Sequence, residues 1–196
     1  MTLSEKEKQI LLVLFKEQFT WYNSRSISTV VSMTPRGALK ALTKMENEGF
    51  VQSELFGRAK KYVVKWSPIT KKMLELILVE ESEKKYKRWV EEFKEFKEST
   101  ALILFGSVTK RKEYKDVDLF ILLEETHQRT IINRIDEKNK ILPKKIHPLF
   151  QTRDDLIQNI IKKDKVILDI LRTGILLKGE KEIVEVLEYV SNRYTS

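Results

Sequence analysis

The chain has 196 residues, of which 41% are hydrophobic and 34% are charged, and its formal net charge is +8. This length fits two small domains or one of medium size, and the composition excludes a disordered chain while it supplies enough apolar residues for buried cores. The sequence contains no cysteine, no apolar run long enough to cross a bilayer and no segment resembling a signal peptide, so we expect a cytoplasmic protein without disulfides, thiolate chemistry or a membrane partner.

Positive charge is concentrated near the N-terminus. Residues 1–66 hold 11 basic and 6 acidic side chains, whereas residues 67–99 hold 8 of each kind and residues 100–196 hold 18 and 15. The first part is therefore the most basic per residue, which predicts a polyanionic partner for it. A basic surface alone is weak support for such a partner.

The apolar pattern and the caps in residues 1–66 predict helices followed by two strands. Ser4 is a candidate N-cap with Glu7 three residues further on, and Thr34 has the form of a second cap because a proline follows it. Three apolar residues of the third helix are predicted to face inward, namely Leu39, Leu42 and Met45. The predicted elements are helices at Ser4–Lys16, Ser26–Met33 and Thr34–Glu48, and strands at Val51–Leu55 and Lys60–Trp66.

This order of a helix, a short helix, a helix and a hairpin resembles the winged helix-turn-helix family over about residues 1–66. The resemblance implies that the third helix is a recognition helix for the major groove of DNA and that the hairpin is the wing. The residues implied as DNA contacts are Arg36, Lys40, Thr43 and Lys44 on the helix, and Arg58, Lys60 and Lys61 on the hairpin. The alternatives to DNA binding are that these residues form only a solvated surface, or that the winged helix docks onto another protein. No DNA base sequence is predicted.

The chain from residue 69 to residue 98 contains no glycine or proline and is predicted to be helical. Its charged stretch Glu80–Lys85 separates two apolar patches and is interpreted as a bend or an exposed turn. The second patch is an aromatic stripe that includes Trp89 and Phe93. We interpret residues 67–99 as a helical connector whose stripe packs on the following domain; the alternative is a dimerisation helix, which would imply a homodimer.

Two short apolar segments, Ala101–Phe105 and Val117–Leu123, are predicted to be strands joined by a turn and a charged loop. Asp116 and Asp118 lie two residues apart at the start of the second strand, so their side chains point to the same face. A buried face does not accept two carboxylates without a strong partner, and a divalent cation is the usual one. The sequence therefore predicts a metal site in this stretch.

The same stretch carries Gly106-Ser107, then eight residues, and then Asp116-Val117-Asp118-Leu119. This arrangement resembles the nucleotidyltransferase signature of the DNA polymerase β-like superfamily. The resemblance implies a mixed sheet with flanking helices, and an enzyme that transfers a nucleoside monophosphate from an NTP to a hydroxyl group. The implied site residues are Asp116 and Asp118 as Mg²⁺ ligands and catalytic residues, and Gly106, Ser107, Lys110 and Arg111 as nucleotide contacts. For the two basic residues, simple solvation is the alternative.

The resemblance also implies a third carboxylate on a later strand. The next predicted strand, Leu142–Gln151, contains no Asp or Glu, and His147 is its nearest polar candidate. Asp154 and Asp155 are interpreted as first-turn carboxylates of the following helix. Three functions stay open: an active transferase, a DNA-binding transcription regulator whose transferase-like domain binds nucleotide or mediates assembly without turnover, and an antitoxin-like partner of another chain.

The predicted fold class for the whole chain is α+β. Residues 1–66 form the winged helix, residues 67–99 the long connecting helix, and residues 100–196 the nucleotidyltransferase-like domain. The remaining predicted elements are a helix at Thr126–Lys140, helices at Asp154–Lys162 and Val166–Arg172, a short strand at Ile175–Leu177 and a final helix at Glu180–Tyr194.

Overall fold

A computed structural model describes residues 2–57, 59–110 and 113–194. The chain divides into two compact units, residues 1–77 and residues 78–196, and the division falls inside one long helix. Among the described residues, no helix is both long enough and apolar enough to span a membrane.

The described part of the first unit consists of helices followed by a hairpin. Its elements are Glu5–Lys16 (α1), Ser24–Val30 (α2), Pro35–Asn47 (α3), Val51–Phe56 (β1), Ala59–Val64 (β2) and the first part of Pro68–Phe93 (α4). The two strands are antiparallel, with Phe56 opposite Ala59. Gly57, which follows β1, has a φ of +59° that suits glycine, and Arg58, a predicted DNA contact, lies outside the described residues.

The predicted caps of α1 and α3 are confirmed. The Ser4 hydroxyl accepts a hydrogen bond from the Glu7 backbone N–H at 3.3 Å, and the Glu7 carboxylate accepts one from the Ser4 N–H at 2.7 Å. At the second helix start, the Thr34 hydroxyl accepts a hydrogen bond from the Gly37 N–H at 3.1 Å. These caps satisfy N–H groups that the first helical turn leaves without partners, so they define where both helices begin.

The buried face of α3 differs from the prediction at one position. Leu42 and Met45 are fully buried, but Leu39 is 47% exposed. Ala38 and Ala41 take inward positions instead, because a period of 3.6 residues groups positions 38, 41, 42 and 45 on one face and rotates position 39 away from it. The prediction for Leu39 is therefore wrong.

The second unit is built on a four-stranded mixed sheet, as predicted. Its elements after α4 are Ser99–Phe105 (β3), Ser107–Lys110 (α5), Val117–Leu123 (β4), the 3₁₀ turn Glu125–His127, Gln128–Ile141 (α6), Ile146–Gln151 (β5), Arg153–Ile161 (α7), Lys165–Thr173 (α8), Ile175–Lys178 (β6) and Glu180–Tyr194 (α9). The strand order is β5-β4-β3-β6. β3 is antiparallel to both β4 and β6, whereas β4 and β5 are parallel.

One face of the sheet packs against the aromatic end of α4. Trp89 and Phe93 are stacked with ring centroids 5.8 Å apart, and both belong to one buried cluster with Leu104 of β3 and Leu119 of β4. The predicted packing of the stripe on the following sheet is thus confirmed. The helix has non-helical backbone angles at Tyr86, directly after the charged stretch predicted to bend.

The other face of the sheet is covered as well. The side chains of Ile103 and Phe120 point to this second face and are also buried. Helices α8 and α9 contact β3.

The strand predicted from Leu142 begins only at Ile146. The reason is that the Leu142 N–H still donates to the carbonyl of Lys138 at 2.8 Å and so ends α6.

Candidate functional site

A glycine ends β3 directly against an aspartate of β4. Phe105 pairs with Asp118 in the β3–β4 ladder, and the next residue, Gly106, has a φ of +75°. A Cβ atom on Gly106 would lie 2.1 Å from Oδ2 of Asp118, which is far inside contact distance. Only glycine allows both this backbone conformation and this close approach, so the turn and the carboxylate form one unit.

Asp116, Asp118 and His147 lie at the same edge of the sheet. Asp118 is directly opposite His147 in the parallel β4–β5 ladder, and Nδ1 of His147 lies 3.9 Å from Oδ2 of Asp116. Val117, between the two aspartates, is buried in the aromatic cluster, which keeps both carboxylates on the opposite face. The structure therefore brings together the two predicted aspartates and the imidazole that stands where a third carboxylate was expected.

The surroundings of Asp118 do not favour its negative charge. Partial burial raises the pKa of this carboxyl group above its usual value, a positively charged His147 acts in the opposite direction, and the charge of Asp116 raises it further. Two carboxylates so placed have a strong tendency to take up a cation.

The donor set fits a magnesium ion that is bound together with a substrate. Mg²⁺ in phosphate-transferring sites uses one or two carboxylates, and its other ligands are water and substrate phosphates. Asp116 and Asp118 would supply these carboxylates, and the Gly106 turn leaves the space beside Asp118 free of a side chain. Among the described residues, no three His, Asp or Glu side chains are already close enough together to hold a metal ion.

The turn after β3 is anchored by the helix that follows it and by α4. The Thr109 hydroxyl donates to the carbonyl of Gly106 at 3.0 Å, and the Tyr86 hydroxyl donates to the carbonyl of Thr109 at 3.1 Å. Ser107 starts α5 and is half-buried. These bonds hold the Gly106-Ser107 backbone in one place, which a binding site for phosphate requires.

Lys110 is held at the end of α5 by a carboxylate from α8. Its ammonium lies 3.7 Å from Oδ2 of Asp169, and the same carboxylate accepts a hydrogen bond from Arg172 at 2.5 Å. The hydrogen bond from Arg172 lowers the pKa of Asp169, and Lys110 contributes to this lowering. Arg111, the other predicted nucleotide contact in this loop, lies outside the described residues.

Sequence reasoning missed Asp169 and Arg172. They are far from the Gly106 turn along the chain and approach it because β6 is antiparallel to β3, with Ile175 opposite Leu104. This pairing brings the end of α8 to the edge of the sheet where β3 ends. No local motif marks either residue.

Residues 87–182 match the family model described as polymerase beta, nucleotidyltransferase. The match includes β3, the Gly106 turn, both aspartates and all the strands of the sheet. This segment is similar to nucleotidyltransferase domains of the polymerase beta type. The match supports the superfamily predicted from the Gly-Ser and Asp-Val-Asp pattern. The chain matches no protein among those with curated functions.

In the first unit, α3 carries an exposed basic stripe. Arg36, Lys40 and Thr43 follow each other at helical spacing and are all exposed. The side chains of Arg36 and Lys40 form no hydrogen bond or ion pair with any other described residue. Both positive charges are therefore available to a partner.

The other predicted basic contacts of this unit lie next to carboxylates. Lys44 donates to both carboxylate oxygens of Glu7 at 3.0 Å, and the Glu7 side chain is only 7% exposed. Burial raises the pKa of Glu7, but the hydrogen bonds from Ser4 and Lys44 outweigh it and hold that pKa below its usual value. The hairpin pairs are more exposed, with Lys60 at 3.7 Å from Glu46 and Lys61 at 3.8 Å from Glu54. Arg36 and Lys40 thus remain the strongest candidates for contacts to DNA.

Proposed function

We propose that the protein is a nucleotidyltransferase that transfers a nucleoside monophosphate from an NTP to a hydroxyl acceptor. The acceptor oxygen bonds to the α-phosphorus, the bond from that phosphorus to the bridging oxygen breaks, and pyrophosphate leaves. The hydroxyl proton goes to solvent. The observation that carries this proposal is the contact between the Gly106 turn and the Asp118 carboxylate inside the segment that matches the family.

Each part of the site has a defined task in this reaction. The backbone at Gly106 and Ser107 accepts the triphosphate, because no side chain at Gly106 stands in its way. Asp116 and Asp118 would hold Mg²⁺, which stabilises negative charge on the phosphates and lowers the pKa of the attacking hydroxyl. Lys110, held near the turn by Asp169, adds positive charge for the outer phosphates.

The test is transfer of label from an α-³²P-labelled NTP to acceptors in a mixture of RNA, protein and small hydroxyl compounds. The full-length protein is compared with Asp118→Asn, and Asp154→Asn serves as the control because this residue is exposed at the start of α7. We expect Mg²⁺-dependent labelling that Asp118→Asn abolishes and Asp154→Asn leaves unchanged. Equal labelling by both variants would contradict the proposal, and so would equal binding of a non-hydrolysable NTP by both.

We further propose that the first unit is a winged helix that binds DNA through α3. A helix with exposed Arg36, Lys40 and Thr43 fits the major groove, where Arg and Lys contact phosphates and base edges. The hairpin of β1 and β2 would be the wing. The excess of basic side chains over residues 1–66 supports an anionic partner for this unit.

DNA binding is tested by titrating duplex DNA at several salt concentrations. The double variant Arg36→Ala/Lys40→Ala should bind more weakly and show a shallower dependence of log affinity on log salt, the slope changing by about one for each side chain that neutralises a phosphate. Lys162→Ala/Lys165→Ala is the matched control, since it removes the same charge from exposed positions of the second unit. If both double variants lose affinity equally, α3 is not the DNA-binding surface.

A second function has one observation in its favour. His147, rather than a carboxylate, pairs with Asp118 in the parallel ladder, which suits a regulator that binds nucleotide without turnover. In that case an NTP changes the affinity for DNA, and no pyrophosphate is released. Measuring DNA binding and pyrophosphate in the same samples separates this regulator from the transferase.

A further inference from the structure

His147 is placed to act on the two aspartates directly. The β4–β5 register puts it beside Asp118, and its Nδ1 lies 3.9 Å from Oδ2 of Asp116. Its side chain is 59% exposed, and it forms no hydrogen bond with any other described residue. No hydrogen bond in the described ranges fixes the ring, so it is free to turn toward an ion beside the aspartates.

The imidazole and the Asp116 carboxylate are too far apart for a direct hydrogen bond but close enough to reach a common ion after a small movement. A hydrogen bond would bring these two atoms to about 3 Å or less. Two adjacent ligands that each lie roughly 2.1 Å from one metal ion are separated by about 3.0 Å in octahedral and about 3.4 Å in tetrahedral geometry. The observed 3.9 Å is longer than both, so the two side chains must come closer together by about 0.5 Å or more to share one ion.

Closing the site requires only movements of exposed side chains. The described residues do not contain a preformed group of three ligands. His147 and Asp116 are 59% and 43% exposed, so both can rotate toward an ion beside Asp118 without disturbing the core. The backbone of Asp118 is held by its pairing with Phe105 and His147 in the sheet.

We propose that His147 is a nitrogen ligand that completes the metal site of Asp116 and Asp118 and shifts its preference from Mg²⁺ toward Co²⁺ and related transition ions. Mg²⁺ strongly prefers oxygen ligands, whereas imidazole binds the later first-row divalent ions well. The proposal rests on the assignment of the two aspartates in the proposed function. With His147 as a ligand, the site is expected to prefer Co²⁺ over Mg²⁺ more strongly than a site with carboxylates alone.

The experiment measures binding of Co²⁺ alone and of Mg²⁺ alone to the full-length protein by calorimetry. The chain contains two histidines and no cysteine, so His127→Gln is a matched control for His147→Gln. We expect His147→Gln to weaken Co²⁺ binding about tenfold and to change Mg²⁺ binding less than about twofold. His147→Asp should strengthen Mg²⁺ binding relative to His147→Gln while Co²⁺ binding stays below that of the unmodified protein.

Spectroscopy gives a readout that does not depend on activity. With only two histidines, the ring signals of His127 and His147 can be assigned by NMR from the two glutamine variants. Mn²⁺ or Co²⁺ at low occupancy should broaden the His147 signal and spare that of His127. Equal broadening of both rings, or Co²⁺ affinity unchanged in His147→Gln, would overturn the proposal.

The double variant Asp116→Asn/Asp118→Asn separates this inference from the proposed function. If it loses both Mg²⁺ and Co²⁺ while His147→Gln keeps Co²⁺ affinity, the aspartate site stands and the role of His147 is wrong. If it retains Mg²⁺ and Co²⁺ binding, the assignment of the aspartates fails, and the proposed function fails with it.

Discussion

The variant Gly106→Ala tests the contact on which the site depends. The added Cβ would lie 2.1 Å from Oδ2 and 3.0 Å from Cγ of Asp118, so the carboxylate must turn away from the site. A non-glycine residue at a φ of +75° costs about 1 to 2 kcal/mol. We therefore expect a stable protein whose free energy of unfolding falls by about that amount, and whose affinity for Mg²⁺-NTP falls about 10- to 100-fold.

Gly49→Ala is the matched control for this change. Gly49 has a similar φ of +82°, but a Cβ there would have no neighbour within 4 Å. Urea unfolding should show a similar loss of stability in both variants, whereas calorimetry with a non-hydrolysable NTP should show weaker binding only in Gly106→Ala. Unchanged nucleotide binding by Gly106→Ala, or an equal loss in both variants, would refute the role assigned to this turn.

Two further changes test individual side chains. Glu7→Gln should lower the free energy of unfolding by about 1 to 2 kcal/mol at pH 7, because it weakens the bonds from Lys44 and Ser4. Burial raises the pKa of Glu7, but these hydrogen bonds lower it by more, so the folded-state pKa lies below the unfolded-state value of about 4.3. The carboxylate therefore stabilises the fold fully above the unfolded-state pKa. This stabilisation is lost as the pH falls through the lower folded-state pKa. Urea unfolding curves of the two proteins should converge in acid, and a difference that persists undiminished at low pH would contradict this reasoning. Lys110→Ala should weaken calorimetric binding of an NTP several-fold and leave binding of the corresponding NMP unchanged, since Lys110 is assigned to the outer phosphates; equal weakening of both would exclude that role.

The sequence was sufficient to predict the parts of the fold that depend on local patterns. The caps at Ser4 and Thr34 require only the right side chain three residues before an N–H group. The pairing of Asp116 and Asp118 on one face follows from the alternation of a strand. The Gly106 turn was found because its motif lies within one short stretch.

The parts that were missed or left open depend on the arrangement of distant segments. His147 is predicted from the sequence as the polar residue nearest the expected third carboxylate, but its place opposite Asp118 follows from the parallel register of two strands separated by α6. The ion pairs of Asp169 likewise depend on where β6 joins the sheet. Leu39 contradicts the prediction because the hydrophobic character of a residue does not determine its angle on the helix, and two alanines occupy the inner face instead.

The alternation along β4 also protects the folding of this domain. Val117 and Leu119 belong to the buried aromatic cluster, and Asp118 between them points to the other face. A slip of the strand by one residue would exchange these faces and place an unpaired carboxylate in that cluster, at a cost of several kcal/mol. Asp118 therefore excludes the wrong strand pairing during folding. Replacement of Asp116 and Asp118 by valine would remove the energetic cost of the wrong strand register together with the proposed metal ligands. Sheets with the wrong register, which are prone to aggregate, would then compete with the native sheet.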